Sequence, residues 1–326
     1  IERAGAGFIE GEPSPPMWFQ ESVHPIFRKW RKILDSYPGD RAMCGEAYVL
    51  PLSFMALWVR PDEFNQTFNF RFLDSEWKPE ILQSSINESF EAFDAVGAPS
   101  TWVLSNHDII RHASRMGGLT GRPTASNGIG PNDPQPDREL GLRRARGATL
   151  FTLALPGSMY LYQGEELGLP EHTTITPEYR QDPTFFRTNG ERVGRDGCRV
   201  PLPWESGAGA ANGFNMTGKS WLPQPEIYAD YSRDQQEGVA GSTLELYKHA
   251  LQLRKEFKLG EGSFDWIPEL VSDHSLGFRN GNILVVHNFG HIPIDLPQGE
   301  IVASSLEGMH QGHPLAADQT VWIRTY

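Results

Sequence analysis

The sequence predicts an α/β chain in which βα units surround a parallel sheet or barrel, with a small antiparallel β-domain behind them. Three observations point there. Helix-period and strand-like segments alternate up to about residue 168. The strand-like runs are short and mostly apolar, as suits parallel strands buried on both faces, and two of them carry a carboxylate at or near the end. From about residue 260 the pattern changes to short alternating segments separated by turn residues.

The elements follow in order. Residues 1–18, "IERAGAGFIEGEPSPPMW", read as loop, with neither the basic nor the apolar region of a signal peptide. Over 21–36, Val23, Ile26, Phe27, Trp30, Ile33 and Leu34 fall at helical spacing, and Pro38-Gly39 stops the run. "RAMCGEAYVL" (41–50) predicts a buried strand carrying Glu46, and "TFNFRF" (67–72) a second strand. A helix is expected over 78–95 with Ile81, Ile86, Phe90 and Phe93 inward, then a third strand in "STWVLSNHD" (100–108). A Gly/Pro/Asn-rich loop at 118–136 leads to a helix over 138–155, and "GSMYLYQGEELG" (157–168) predicts a fourth strand. Residues 169–242 are loop-rich, and loops that long in a compact domain are usually functional. A helix over 243–257 closes this part. Strands are then expected at 275–280, 282–290, 293–297, 301–305 and 320–326.

Composition removes several classes of function. No apolar run approaches the ~18 residues of a membrane span, so no membrane partner is expected. The net charge of −12 argues against nucleic acid and anionic lipid, both of which need a basic face. A neutral small molecule fits better. Cys44 and Cys198 leave room for at most one disulfide and have no metal-ligand spacing, which makes a reduced, cytoplasmic setting the default.

Glu46 and Asp108 each sit at the end of an expected parallel strand, and in a closed barrel both would enter one mouth. Two carboxylates facing one pocket are the minimum for acid/base work at a glycosidic bond. A salt-bridged core Glu and a helix-capping His-Asp pair account for the same residues equally well. Spacing alone leaves both readings open.

The motifs "GEAYV" (45–49), "SNHDIIR" (105–111), "YLYQGEELGLP" (160–170) and "GRDGCRVPLPW" (194–204), in this order, decide between them. Together they resemble glycoside hydrolase family thirteen, the α-amylase family, and within it the exo-acting α-glucosidase or oligo-1,6-glucosidase-like branch of actinobacterial type. The resemblance implies that Glu46 is the general acid/base and that Asp108 stabilises the transition state. It implies that His107 hydrogen-bonds the sugar in the −1 subsite and that Arg199 holds the non-reducing terminal glucose. Asn106 is expected to fix the strand-end turn, Arg111 to brace the pocket wall, and Glu165 and Glu166 to shape the rim. Phe70, Tyr160 and Trp204 are expected in barrel packing. The substrate is then a small α-glucoside cleaved with retention, and no cofactor and no metal are needed.

One departure stands out. The family's nucleophile lies in a G-F-R-x-D motif at the fourth barrel strand, before the GEA motif, and nothing here matches it. With no initiator Met either, the expected fold is the C-terminal half of a TIM (β/α)8 barrel, strands five to eight within residues 1–258, followed by a small antiparallel β-sandwich domain at 259–326. Its partner would be the missing N-terminal half of the barrel. A half barrel exposes two strand edges, so the fragment alone is expected to be inactive and prone to associate. Two alternatives share these residues: an α-glucosyl-transferring or isomerising relative, such as a trehalose synthase or sucrose isomerase, and a non-catalytic family relative. Retention of Glu46, His107, Asp108 and Arg199 counts against the second.

Overall fold

A computed structural model describes residues 20–118 and 127–326. The expected loop at 1–18 and the middle of the 118–136 loop lie outside the described residues. The chain divides into two compact units, one running up to Val103 and taking back Pro156–Tyr160, the other formed by Leu104–Leu155 and Leu161–Tyr326.

In the first unit, α1 (His24–Asp35) starts with Pro25 in its first turn, where a missing N–H costs nothing. It buries His24 and Phe27 and leaves Ile26, Trp30 and Ile33 about half exposed, so the apolar face expected from the sequence is only partly covered within this unit. Phe27 packs edge-on to Phe64 at 4.7 Å between ring centres and against Trp58 at 4.8 Å. The core around it takes in Val49, Leu52, Met55, Val59 and Phe93, so that α2 (Leu52–Ala56) and α4 (Pro79–Asp94) share one apolar interior with residues flanking β1 (Cys44–Gly45), Met43 and Ala47. In α4 the buried positions include Leu82, Ile86, Ala92 and Phe93, with Ile81 and Phe90 half-buried.

Three of the four parallel strands lie within the expected segments but are much shorter. β1 pairs in parallel with β2 (Gln66–Thr67), and β3 (Thr101–Val103) with β4 (Ser158–Tyr160) in the register Trp102 to Met159. Side chains join the two pairs: Thr101 Oγ1 donates to the Thr67 carbonyl, and Tyr160 donates its hydroxyl to Gln66 Oε1 at 2.6 Å. The strand expected over 67–72 is corrected. Asn69 accepts the Phe72 N–H at 3.0 Å and caps a helical turn, α3 (Phe70–Leu73), because a short amide acceptor offers the backbone a helix start that the apolar alternation does not reveal. Trp102 is fully buried between Phe72 and Phe90 and donates Nε1–H to the Pro156 carbonyl at 2.7 Å. The chain then enters β4 through Gly157, whose φ of +105° and close approach admit no side chain: a Cβ there would lie 2.2 Å from the Ser100 carbonyl oxygen.

In the second unit, α5 (His112–Arg115) and α6 (Arg138–Leu153) lie against each other, and α9 (Thr243–Glu256) packs on α6, with Tyr247 and Thr149 hydroxyls 2.8 Å apart. Asp137 and Ser242 cap α6 and α9 by accepting the N–H groups of Leu140 and Glu245. Two short helices, α7 (Pro183–Arg187) and α8 (Arg233–Gln236), punctuate the loop-rich segment between them.

The C-terminal strands form one antiparallel sheet in the order β5 (Asp265–Trp266), β6 (Ser275–Asn280), β7 (Ile283–Asn288), β9 (Thr320–Arg324), β8 (Glu300–Ser304). Alternation sorts its side chains. Phe278, Val285 and Trp322 are register partners, and this face meets α6 through the Phe151–Phe278 ring contact at 5.1 Å and a Trp322 Nε1–H bond of 2.9 Å to the Leu150 carbonyl. Leu284, Val286, Val321 and Ile323 point the other way into a second apolar cluster with Leu315. The expected sandwich is therefore, among the described residues, a single five-stranded sheet. Its expected strand at 293–297 reduces to one bridge, Ile294 to Leu315, because prolines at both ends remove ladder donors.

Candidate active site

Two stretches of the second unit build the site. Directly after β3, Ser105 is buried with its hydroxyl against His112 Nδ1 at 2.7 Å and the His112 N–H at 3.0 Å, which pins the loop to the start of α5. Asn106 Oδ1 accepts the Asp108 N–H at 2.8 Å. This Asx turn is the role expected of Asn106, and it sets His107 and Asp108 on the outside of the bend, where both side chains keep solvent access.

From far along the chain, a 3-10 turn at Asp196–Cys198 brings up two arginines four residues apart. Arg195 Nη1 donates to Asp108 Oδ1 at 2.8 Å and Arg199 Nη2 donates to the same oxygen at 2.7 Å. Arg199 Nε also donates to the His107 carbonyl at 2.7 Å, and His107 Nε2 stands 3.5 Å from Asp108 Oδ1. His107, Asp108 and Arg199, separated by up to 92 positions, are thus one contact group. Glu46 belongs to the first unit, where it is exposed and directly follows β1.

Behind the group lies a layer of buried polar residues. Arg111, expected to brace the pocket wall, is 1% exposed, donates to the carbonyls of Gln163 and Cys198 at 2.8 and 2.9 Å, and lies over the Tyr162 ring, so it ties these loop segments together and does not face solvent. Its N–H is accepted by Glu171, whose carboxyl burial pushes up to about 7. Burial likewise pushes the Cys198 thiol up, so it remains protonated and donates to the Arg195 carbonyl. Cys44 and Cys198 are both free thiols.

Two sequence expectations need adjustment. Glu165 is buried, not a rim residue, and burial pushes its carboxyl up to about 8. Glu166 does shape the adjoining turn, accepting the Gly164 N–H at 2.7 Å. Trp204 is 45% exposed, so it is not a packing residue, whereas Tyr160 and Phe70 are half-buried against Phe68 and Tyr48. The residue of this contact group that sequence reasoning did not single out is Arg195. Its four-residue spacing from Arg199 was the available signal.

Comparison with known proteins identifies the family. Residues 19–262 match a family model described as "Alpha amylase, catalytic domain". The salivary alpha-glucosidase of Anopheles gambiae is 26% identical over 336 residues, covering 94% of this chain and 50% of that protein. A solved α-glucosyl transfer enzyme superposes with a TM-score of 0.73 at 27% identity, over 94% of this chain and 55% of its own. A solved trehalulose synthase gives 0.74 at 20% identity, over 99% and 64%, a likeness of fold. The chain spans about half the length of the curated relatives it matches.

Proposed function

Since the chain belongs to the α-amylase family by its catalytic-domain match over residues 19–262, we infer that it serves a retaining α-glucosidase that releases glucose from the non-reducing end of short, maltose-like α-glucosides. The observation that carries this reading is the grip of Arg199 and Arg195 on Asp108 Oδ1 beside His107, a fixed negative group flanked by sugar-binding donors. Asp108 faces the positive charge that develops on the ring as the bond to the leaving oxygen stretches. His107 and Arg199 hold the glucose hydroxyls. Glu46, at the end of a parallel strand, gives its proton to the leaving oxygen while a carboxylate nucleophile bonds to the anomeric carbon. In the second step Glu46 takes a proton from water, the water oxygen bonds to that carbon, and the nucleophile departs.

On this reading β1 to β4 are strands five to eight of a (β/α)8 barrel within residues 1–258, the antiparallel domain spans 259–326, and the nucleophile lies on a partner segment that supplies strands one to four. Relatives twice as long as this chain support the division. The actinobacterial, cytoplasmic setting belongs to the same proposal. A glucosyl-transferring outcome is the second reading, favoured by the 27% identical α-glucosyl transfer enzyme; products from maltose and sucrose separate the two.

The test is turnover of p-nitrophenyl α-glucoside by this chain with and without the N-terminal half of such a barrel. The chain alone should be inert. The assembled enzyme should release glucose first as the α-anomer, and Asp108→Asn should lose about a thousandfold in kcat. First release of the β-anomer would overturn retention. Activity of the purified chain alone that Glu46→Gln abolishes would overturn the half-barrel assignment.

A further inference from the structure

Two arginines on one carboxylate oxygen raise the question of why both are there. Their surroundings differ. Arg199 is held by Asp108 and by a backbone carbonyl, that of His107. Arg195 is clamped from behind by Asp182, which is 1% exposed and takes its backbone N–H at 2.9 Å, its Nε at 2.6 Å and its Nη2 at 3.4 Å. Asp182 is fixed in turn: Oδ1 caps α7 by accepting the Thr184 N–H at 2.8 Å, and its own N–H donates to Asp196 Oδ2, which also receives the Gln181 N–H. The approach is close enough that Gly194, at φ +72°, has no room for a Cβ, which would lie 2.8 Å from the Asp182 carboxyl carbon. Burial would raise the Asp182 carboxyl, but the bonds from Arg195 and Thr184 prevail and hold it well below the usual carboxylate range, so the pair stays charged.

We propose that Asp182 and Arg195 are a positioning pair that fixes the Asp108 carboxylate throughout the reaction, leaving Arg199 free to exchange its bond to Asp108 for one to the sugar. The proposal rests on the α-glucosidase reading for its chemical consequence, and on the clamp alone for its geometry. Arg195 acts through Asp108 and need not touch substrate. Because Asp182 spends Oδ2 on Nε and the backbone, only Nη1 of the guanidinium is directed to Asp108, which makes the contact a single aimed bond.

The experiment compares Arg195→Lys, Arg195→Gln, Asp182→Asn and the double variant Asp182→Asn/Arg195→Gln in the assembled enzyme, with active sites titrated. The double variant removes both charges together, so no lone buried carboxylate is left to unfold the loop. Arg195→Gln should lower kcat about a hundredfold, the scale of an ångström's misplacement, with KM within about threefold. Arg195→Lys should recover part of the loss, and the double variant should be no worse than Arg195→Gln, because Asp182 works only through Arg195. Crystal structures of the same variants should show Asp108 displaced in Arg195→Gln and retained in Arg195→Lys. An Asp108 that stays in place in Arg195→Gln, or losses that multiply in the double variant, would overturn the proposal. A displaced Asp108 in an enzyme that ignores α-glucosides would instead overturn the function and leave the positioning pair standing.

Discussion

Replacing Glu165 by Gln should change how stability depends on pH, and with a definite sign. Glu165 is 3% exposed, with the Tyr247 hydroxyl 3.4 Å from Oε1 and His112 Nδ1 3.8 Å from Oε2. That distance would pass for an ion pair. It is not one, because burial, with Arg115 and Arg111 nearby, pushes His112 down to about 3, while its Nδ1 is engaged by Ser105. Burial is also the largest influence on Glu165, which it lifts from an ordinary 4.5 to about 8. Both groups are therefore neutral at pH 6.

A carboxyl whose folded value is raised favours the folded state fully below its unfolded value and loses that advantage as pH climbs to the folded one. The window here runs from 4.5 to about 8. At about 1.4 kcal/mol per pH unit, the loss attributable to Glu165 reaches up to about 5 kcal/mol. Glu165→Gln keeps the shape and cannot ionise. Near pH 5 the variant should be about 1 kcal/mol less stable, from an imperfectly paired amide. By pH 8.5 it should be the more stable of the two. The assay is urea unfolding at half-unit intervals from pH 5 to 8.5, read as the difference between variant and wild type, in which the similarly raised Glu171 cancels. A difference that stays flat across the window would refute the argument.

In the assembled enzyme, Arg199→Ala should raise KM and lower kcat for short maltosides, each by about tenfold, since binding of the terminal glucose and its orientation go together; initial-rate kinetics on maltose and maltotriose check this. Gly157→Ala should cost about 3 kcal/mol or more in unfolding free energy, because the new Cβ meets the Ser100 carbonyl oxygen at 2.2 Å and φ is +105°, a strain with nowhere to relax between β3 and β4. Trp322→Ala should cost about 3 to 5 kcal/mol by thermal unfolding, as it removes a fully buried indole and orphans the Leu150 carbonyl it satisfies.

What could be read from the sequence follows the range of the interactions involved. Helices α4, α6 and α9 were legible nearly to their ends because their periodicity is local and their caps, such as Asp137 and Ser242, adjoin them. The parallel strands were legible as places but not as lengths, since a ladder of two or three residues depends on a neighbour tens of residues away. Asn69 turned an apparent strand into a helix through a single side-chain bond. β5 was missed because Asp265–Trp266 is too short to show alternation. At the site, the motifs supplied His107, Asp108 and Arg199, and the structure joined them. Arg195 escaped because its meaning lies in Asp182, thirteen positions earlier, and in a 3-10 turn that composition does not announce.

The central claim is that Glu46 protonates the leaving group of an α-glucoside. Its most direct test compares kcat/KM of wild type and Glu46→Gln in the assembled enzyme on two substrates that share the glucose and differ in leaving group, maltose and 2,4-dinitrophenyl α-glucoside. Glucose as a leaving group must be protonated, whereas dinitrophenolate departs as the anion, so loss of a general acid should lower the maltose value by about a thousandfold and the aryl value by less than about tenfold. Equal losses on the two substrates would contradict the assignment of Glu46 as the general acid.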